Sequence, residues 1–191
     1  MFSIPPVTQV LILLNIAAYL LDSVVGDAVM ARLALWPIGS PYFGPWQLVT
    51  YAFLHGSLTH LAFNMFGVYM FGSDLERVWG PKRYLQFYMA SLLAAAVAQL
   101  AVAYVTGGNY PTVGASGAVF GLLLGFAIVF PRRMVVPLIP PIPMRAPVFV
   151  AIYGAIELFL GVTGTQQGVA HFAHLGGMAG GYLMIWLWRA K

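Results

Sequence analysis

Six long apolar runs restrict the fold of this chain more than any other feature of its sequence. A helix that crosses a bilayer needs about 20 largely apolar residues. The runs that reach or approach this length are Val7–Val25, Leu58–Gly72, Tyr84–Val105, Ser116–Phe130, Ala146–Val162 and Val169–Trp188. Within lipid, backbone N–H and C=O groups need internal partners, and a helix supplies them. The sequence therefore predicts an all-α membrane protein with six transmembrane helices.

The composition supports a membrane protein rather than a soluble one. Hydrophobic residues make up 61% and charged residues 7% of the 191 residues, against about 45–50% and 25% in soluble domains. The length favours a single domain over residues 1–191. The absence of cysteine excludes disulfides and thiolate chemistry. No basic residue precedes the first apolar run, so a cleaved signal peptide is not expected.

The stretch between the first two apolar runs is broken by prolines but is too apolar for a solvated loop. Tryptophan and tyrosine favour the interface between membrane and water. We expect this first loop to be partly embedded at the outer interface through its aromatic residues, which include Trp36, Tyr42, Phe43 and Trp46.

The basic residues predict the orientation in the membrane. With six spans, one side carries Arg77, Lys82, Arg83, Arg132, Arg133, Arg145, Arg189 and Lys191. The other side carries Arg32. Because cytoplasmic loops are enriched in lysine and arginine, both termini are predicted to be cytoplasmic. The basic residues stand singly or in pairs at the ends of apolar runs, so the net charge of +4 does not indicate nucleic-acid binding. The expected location is a cell membrane, such as a prokaryotic inner membrane.

The fourth apolar run, Ser116–Phe130, is too short to span a bilayer completely. Its length as a helix is about 22 Å, whereas the hydrocarbon layer is about 30 Å thick. The adjoining sequence Pro131–Arg133 marks one end as a membrane surface. The other end, with Ser116, must then lie inside the bilayer. Non-helical backbone at that depth requires burial in protein or a wet cavity, so a water-filled cavity is predicted above Ser116.

The sequence from Gly114 to Gly117 places a serine between glycines at the start of this run. Glycine permits a close approach of other groups, and the first N–H groups of a helix lack intrahelical partners. Such donors can hold a negatively charged oxygen, as an oxyanion hole does. The alternative interpretation is that Ser116 only caps the helix.

Glycine-lined helix faces predict the partner of this serine. The fourth run carries Gly117, Gly121 and Gly125, and the sixth carries Gly177 and Gly181 on the same face as His174. Small residues at this spacing allow membrane helices to approach closely, which would bring His174 beside Ser116. Gly176 is rotated about 100° away, so a larger side chain is expected to be tolerated better there than at Gly177.

Other catalytic groups fit less well. The two lysines and the aspartates lie near segment ends, and no His-Glu-x-x-His zinc motif occurs. A neutral histidine can take the proton of a serine hydroxyl. Glu157 lies near mid-membrane, where ionisable residues are functional candidates, but we interpret it as a protonated, hydrogen-bonded structural group. His55 is expected to hold the first loop, and His171 to lie near the water-facing end.

Together these motifs resemble those of the rhomboid intramembrane serine proteases over most of the chain. The matching features are Trp46, His55-x4-His60-x3-Asn64, Glu76-Arg77, Gly114-x-Ser116-Gly117 and Ala173-His174-x2-Gly177-x3-Gly181. The resemblance implies a six-helix bundle that cleaves single transmembrane helices of other proteins within or beside the membrane. It implies a transmembrane protein substrate and the lipid bilayer as partners, without nucleic acid, metal or cofactor.

The resemblance also implies roles for individual residues. Ser116 would be the nucleophile and His174 the base, as a dyad without an aspartate. The side chains of His60 and Asn64 would join backbone N–H groups of Ser116 and Ala115 in binding the oxyanion. The glycines of the motifs would support this geometry, and these are Gly114, Gly117, Gly177 and Gly181.

The chain departs from the family pattern at two positions. Gln47 follows Trp46 where the family often has arginine, which removes any ion pair that anchors the first loop there. Phe120 occupies a position where a tyrosine commonly stacks under the catalytic histidine. No extra domain is expected at either end. Two other functions stay open: a non-proteolytic relative that binds or moves transmembrane helices, and a transporter with a four-histidine metal site.

Overall fold

Helices dominate the computed structural model, which describes residues 3–137, 140–164 and 169–189. They are α1 (Pro6–Val25), α2 (Asp27–Leu33), α3 (Gln47–Thr50), α4 (Leu58–Gly67), α5 (Ser73–Thr106), α6 (Ser116–Val129), α7 (Ala146–Thr163) and α8 (His171–Arg189). A 3-10 turn covers Tyr51–Phe53, and a π-helical turn covers Val68–Gly72. Two short strands, β1 (Met134–Val135) and β2 (Met144–Arg145), pair antiparallel before α7. The predicted all-α bundle is confirmed.

Several of these helices suit a membrane by length and composition. Among the described residues, three helical stretches are long and apolar enough to cross one, namely Pro6–Val25, Leu58–Thr106 and Ala146–Thr163. Helix α6 is apolar but has only 14 residues, or about 21 Å. Large apolar side chains on α1 and α7 point outward, as lipid-facing residues do; Val24 and Val162 are examples. The protein is a membrane protein.

The main difference from the predicted boundaries lies between the second and third apolar runs. The sequence predicts an end at Gly72 and a new start at Tyr84, whereas helical backbone continues through this region. It is interrupted at Gly80, which has φ 75° and ψ 165°. Glycine adopts this conformation without steric cost, and Pro81 then suits the first turn of the next helix. The other predicted ends differ from the observed ones by two residues or fewer.

The centre of the bundle is a close contact of α8 with both α5 and α6. A Cβ atom on Gly177 would overlap the carbonyl oxygen of Gly117, so these two backbones touch. A Cβ on Gly176 would lie 2.5 Å from the Cβ of Ala98 and 2.9 Å from the carbonyl oxygen of Ala94. Gly176 is therefore packed as well, because α8 contacts α5 through that side. That a larger side chain is tolerated better at Gly176 than at Gly177 stays a prediction.

Gln47 anchors the first loop by hydrogen bonds in place of an ion pair. Its side chain is fully buried. Its Oε1 accepts a hydrogen bond from the backbone N–H of Trp36 at 3.1 Å. Its Nε2 donates to the carbonyl oxygens of Tyr42 at 2.7 Å and Arg32 at 3.2 Å. The amide thus joins three backbone segments of the loop without a buried charge.

The first loop is also tied to the segment before Ser116. Leu35 and Thr112 exchange backbone hydrogen bonds of 3.0 and 2.9 Å. The backbone N–H of Gly114 donates to the carbonyl oxygen of Tyr51 at 3.0 Å. The position of the Ser116 loop therefore depends on residues far away in the chain.

The opposite end of the bundle contains a network around Glu76. Its carboxylate accepts hydrogen bonds from the backbone N–H groups of Val7 at 2.9 Å and Thr8 at 2.7 Å. The Thr8 hydroxyl donates to it as well, at 2.8 Å. Asp74 pairs with Arg77 at 3.0 Å and with Arg133 at 3.6 Å. Lys191, which contributes to the predicted orientation, lies outside the described residues.

Candidate active site

Ser116 is the first residue of α6, and the backbone before it is shaped by Gly114. Gly114 has φ 120°, a value that side chains disfavour. A Cβ atom there would lie 2.7 Å from Cε1 and 2.8 Å from Nε2 of the His60 ring. Glycine at this position therefore allows both the turn into α6 and the approach of His60 to the serine loop.

Ser116 and His174 form a direct hydrogen bond between α6 and α8. The distance between Ser116 Oγ and His174 Nε2 is 2.7 Å. In this arrangement the hydroxyl donates when Nε2 carries the lone pair, which is the geometry of a serine and its general base. The close contact of Gly117 with Gly177 lies one residue from the serine and three from the histidine. The glycine faces thus hold Ser116 and His174 close together.

The ring of Phe120 stacks on His174. Their centroids are 4.4 Å apart and their planes differ by 6°. Phe120 lies one helical turn after Ser116 in α6, so the same helix supplies both the serine and the surface on which the histidine ring rests. The stacking fixes the plane of the imidazole and leaves both of its nitrogens available for hydrogen bonds.

A buried carboxylate lies on the other side of His174. Glu157 of α7 is 9% exposed. Its Oε2 is 2.9 Å from His174 Nδ1 and 2.6 Å from His171 Nδ1. His171 is the first residue of α8, in keeping with its expected place at one end of that helix. It is 5% exposed, because its ring turns inward to the carboxylate. Sequence reasoning missed this contact, although an acidic residue within an apolar run was a signal for it.

These three side chains are also a possible set of metal ligands. The ligand atoms of Glu157, His171 and His174 lie within 4.8 Å of one another. Two imidazoles and a carboxylate form a donor set that zinc accepts. The hydrogen bonds of 2.6 and 2.9 Å already explain their close approach without an ion.

The two side chains expected to bind an oxyanion lie on α4. His60 is partly buried and its ring contacts the Gly114 backbone. Asn64 is 4% exposed, and its Nδ2 donates to the carbonyl oxygen of His60 at 3.0 Å. An amide NH2 group has two hydrogens, so one remains for another acceptor. The first N–H groups of α6, at Ser116 and beyond, lack intrahelical partners, and the loop before them contacts the His60 ring.

His55 packs against His60 from the first loop. Their ring centroids are 4.9 Å apart in an edge-to-face arrangement. Burial and, to a smaller extent, the neighbouring His60 lower the pKa of His55 to about 4, although the backbone of Phe53 acts in the opposite direction. His55 is therefore neutral at physiological pH, and its place in the loop is that of a packing group.

Fold and site define a class of protein: a helical membrane protein with a serine and a histidine joined across two helices inside the bundle. The Rhomboid domain model matches residues 43–191. The chain belongs to the rhomboid family.

Curated relatives carry the same family name. The chain is 30% identical over 139 residues to the rhomboid protease GluP of Bacillus subtilis (strain 168), covering 72% of this chain and 25% of that protein. It is 31% identical over 145 residues to the putative rhomboid protease YdcA of the same strain, covering 74% and 66%. It is 35% identical over 120 residues to the rhomboid protease GlpG of Yersinia pestis (strain Pestoides F), covering 62% and 41%. The aligned part of this chain thus spans less than two thirds of each relative.

Proposed function

We propose that this protein is an intramembrane serine endopeptidase that cleaves single-span transmembrane proteins within or near their membrane segment. The observation that carries the proposal is the 2.7 Å hydrogen bond between Ser116 Oγ and His174 Nε2. The names of the curated relatives as rhomboid proteases support it. No cofactor and no metal is required by this chemistry.

In the proposed reaction, Ser116 Oγ attacks the carbonyl carbon of the scissile peptide bond, and its proton passes to His174 Nε2. The tetrahedral intermediate then breaks its C–N bond, and the leaving amine takes the proton from Nε2. A water molecule attacks the resulting ester, gives its proton to His174 and releases the new carboxyl group. Ser116 recovers a proton from His174, so each cycle consumes one water.

The negative oxygen of the tetrahedral intermediate requires hydrogen-bond donors. In our proposal these are the side chains of His60 and Asn64 together with the backbone N–H groups of Ala115 and Ser116. The contact of His60 with Gly114 and the start of α6 at Ser116 support this assignment. Donors that are already in place cost little reorganisation when charge develops in the transition state.

The proposed orientation has six membrane crossings, both termini in the cytoplasm and the site open to the outer side through a water-filled cavity. Ser116 begins α6, whereas Arg133, which pairs with Asp74 beside the start of α1, follows its end. The proposed site and Arg133 therefore lie at opposite ends of α6. Positive charge favours the cytoplasmic side, which supports a site toward the outside.

The test compares wild type with Ser116→Ala and His174→Ala in liposomes that contain a panel of single-span membrane proteins. Each variant should lose cleavage while remaining folded, and the double variant should be no worse, because the two groups act as a unit. Wild type should also react with a fluorophosphonate, forming a P–O bond at Ser116 Oγ with loss of fluoride.

Three outcomes would count against the proposal. Cleavage that persists in folded Ser116→Ala would refute the nucleophile. A wild type that neither cleaves nor reacts would favour a non-proteolytic protein that binds helices. Metal-dependent transport without labelling would favour the histidine-based transporter.

A further inference from the structure

We propose that Glu157 is a positioning residue for His174, so that the site is a Ser–His–Glu triad in which Ser116 and His174 react and Glu157 orients the base. This inference rests on the proposed protease function and adds a third group to it. Its basis is one carboxylate oxygen, Glu157 Oε2, which lies 2.9 Å from His174 Nδ1 on the side of the ring opposite Ser116.

The first consequence concerns the position of the ring proton. A carboxylate accepts hydrogen bonds, so the contact with Glu157 places the proton of neutral His174 on Nδ1. Nε2 then carries the lone pair, and it is Nε2 that lies 2.7 Å from the Ser116 hydroxyl. The other tautomer would present an N–H to the serine and could not remove its proton. Glu157 therefore selects the form of His174 that acts as a base.

The second consequence concerns charge during the reaction. When His174 takes the proton of Ser116 it becomes an imidazolium, with its Nδ1–H still directed at Glu157. The carboxylate stays ionised and stabilises this cation, and no proton moves to Glu157. Glu157 and His174 are both at least nine-tenths buried, where an interaction between charges is stronger than in water.

His171 holds the carboxylate from a second direction. It lies three residues before His174 and so projects from the same side of α8. Its Nδ1 is 2.6 Å from the same Oε2 atom. Two nitrogens from one helix thus fix a single carboxylate oxygen, and Phe120 fixes the ring plane of His174 by stacking at 4.4 Å. The carboxylate, the two rings and the serine form one continuous chain of contacts across α7, α8 and α6.

The decisive variant is Glu157→Gln, which keeps the shape of the side chain and removes its charge. If the amide turns its NH2 group toward His174, it also reverses the tautomer. We expect kcat to fall by about 10²–10⁴-fold, the upper value being the effect of the corresponding change in soluble triad enzymes, with KM unchanged. The rate of fluorophosphonate labelling should fall in parallel. Glu157→Asp, which restores a carboxylate, should recover part of kcat.

Glu76→Gln is the matched control, because Glu76 is a buried glutamate that accepts three hydrogen bonds at the other end of the bundle. It should keep kcat in the folded fraction. Equal kcat values for wild type and Glu157→Gln would overturn the positioning role, and so would equal losses in the two glutamine variants. Activity that a chelator removes and zinc restores would also overturn it, because the three side chains would then hold an ion.

A second measurement needs no variant to fold. In wild-type protein labelled with ¹⁵N-histidine, nitrogen chemical shifts distinguish a proton on Nδ1 from one on Nε2. We expect His174 to carry it on Nδ1, and a resting Nε2–H form would overturn the inference. If wild type shows the Nδ1–H form but cleaves no substrate and resists labelling, the proposed function fails while the Glu157 contact stands.

Discussion

Two buried glutamates at opposite ends of the bundle accept hydrogen bonds of similar length but from different kinds of donor. Glu76 is 3% exposed and binds the backbone N–H groups of Val7 and Thr8 and the Thr8 hydroxyl, at 2.7–2.9 Å. Glu157 is 9% exposed and binds the rings of His171 and His174, at 2.6 and 2.9 Å. Burial and hydrogen-bond length alone do not distinguish the two residues.

The difference lies in what the donors can do. A backbone N–H keeps its proton, so Glu76 can only satisfy the free donors at the start of α1 and favour its N-terminal dipole. An imidazole exchanges protons near neutral pH, so the partner of Glu157 can change charge during a reaction. The hydrogen-bond partners of a buried carboxylate therefore indicate its role. Variants at the Glu157 end should lower kcat, whereas variants at the Glu76 end should lower the free energy of unfolding.

After the variants of Ser116, His174 and Glu157, the largest effect should come from the proposed oxyanion donors at the Glu157 end. His60→Ala or Asn64→Ala should lower kcat by about 100–1000-fold, the usual cost of losing one such donor. KM and the unfolding temperature should change much less. Steady-state cleavage with both variants gives the measurement, and wild-type rates in both would show that these side chains only pack.

The next effect should come from the contact between α6 and α8. In Gly177→Ala the new Cβ would overlap the carbonyl oxygen of Gly117, so the helices must separate. A displacement of about 1 Å in a catalytic pair costs about 100-fold in rate, and overpacking costs about 1–3 kcal/mol of stability. Activity and thermal unfolding in detergent should both be impaired.

Gly154→Ala is the control for this variant, because a Cβ on Gly154 makes only ordinary contact with Met178 at 3.5 Å. Gly176→Ala should destabilise the protein too, since α5 blocks that position. If Gly154→Ala proves the most damaging of the three, the assigned helix contact is wrong.

At the other end, Glu76→Gln should affect stability instead of rate. Replacing a buried carboxylate that accepts three hydrogen bonds should lower the free energy of unfolding by about 1.5–3 kcal/mol. The kcat of the folded fraction should match wild type, because Glu76 binds the start of α1, at the end of the bundle opposite Ser116 and His174. Equilibrium unfolding in detergent, paired with active-site titration, checks this. A change in kcat at constant stability would remove the contrast between the two glutamates.

The smallest effect should be a pH dependence that comes from His55. Its pKa is about 4 in the folded protein and about 6.5 in an unfolded chain. The unfolded state therefore binds more protons in this window, and stability should fall as the pH drops from about 6.5 to 4. The unfolding temperature should fall between pH 7 and pH 4.5, and in His55→Asn this fall should be smaller by a few degrees than in wild type. Parallel curves for the two proteins would contradict the assigned burial.

Much of the fold followed from local signals in the sequence. Apolar runs predicted helices within two residues at most ends, because lipid and backbone hydrogen bonding impose similar lengths on every span. The exception was the region between the second and third apolar runs, where helical backbone continues up to and beyond the Gly80–Pro81 break. Hydropathy did not reveal this continuation, because the residues there are polar and extend the helix outside the apolar layer. Spacing within the motifs also predicted that Gly177 and Gly117 lie on facing surfaces, and the two backbones do touch.

What the sequence determined by itself was the set of chemical groups and the helix faces that carry them: Ser116 at a helix start and His174 beside glycines. Only the tertiary structure decided the relation among α6, α7 and α8. The pattern of residues along a helix indicates which side of that helix is packed. Which other helix packs there depends on the rotation and crossing of helices distant in the chain. For that reason the 2.9 Å contact of Glu157 with His174 and the packing of Gly176 on Ala98 were not predicted. Both depend on where a third helix lies, which no local spacing specifies.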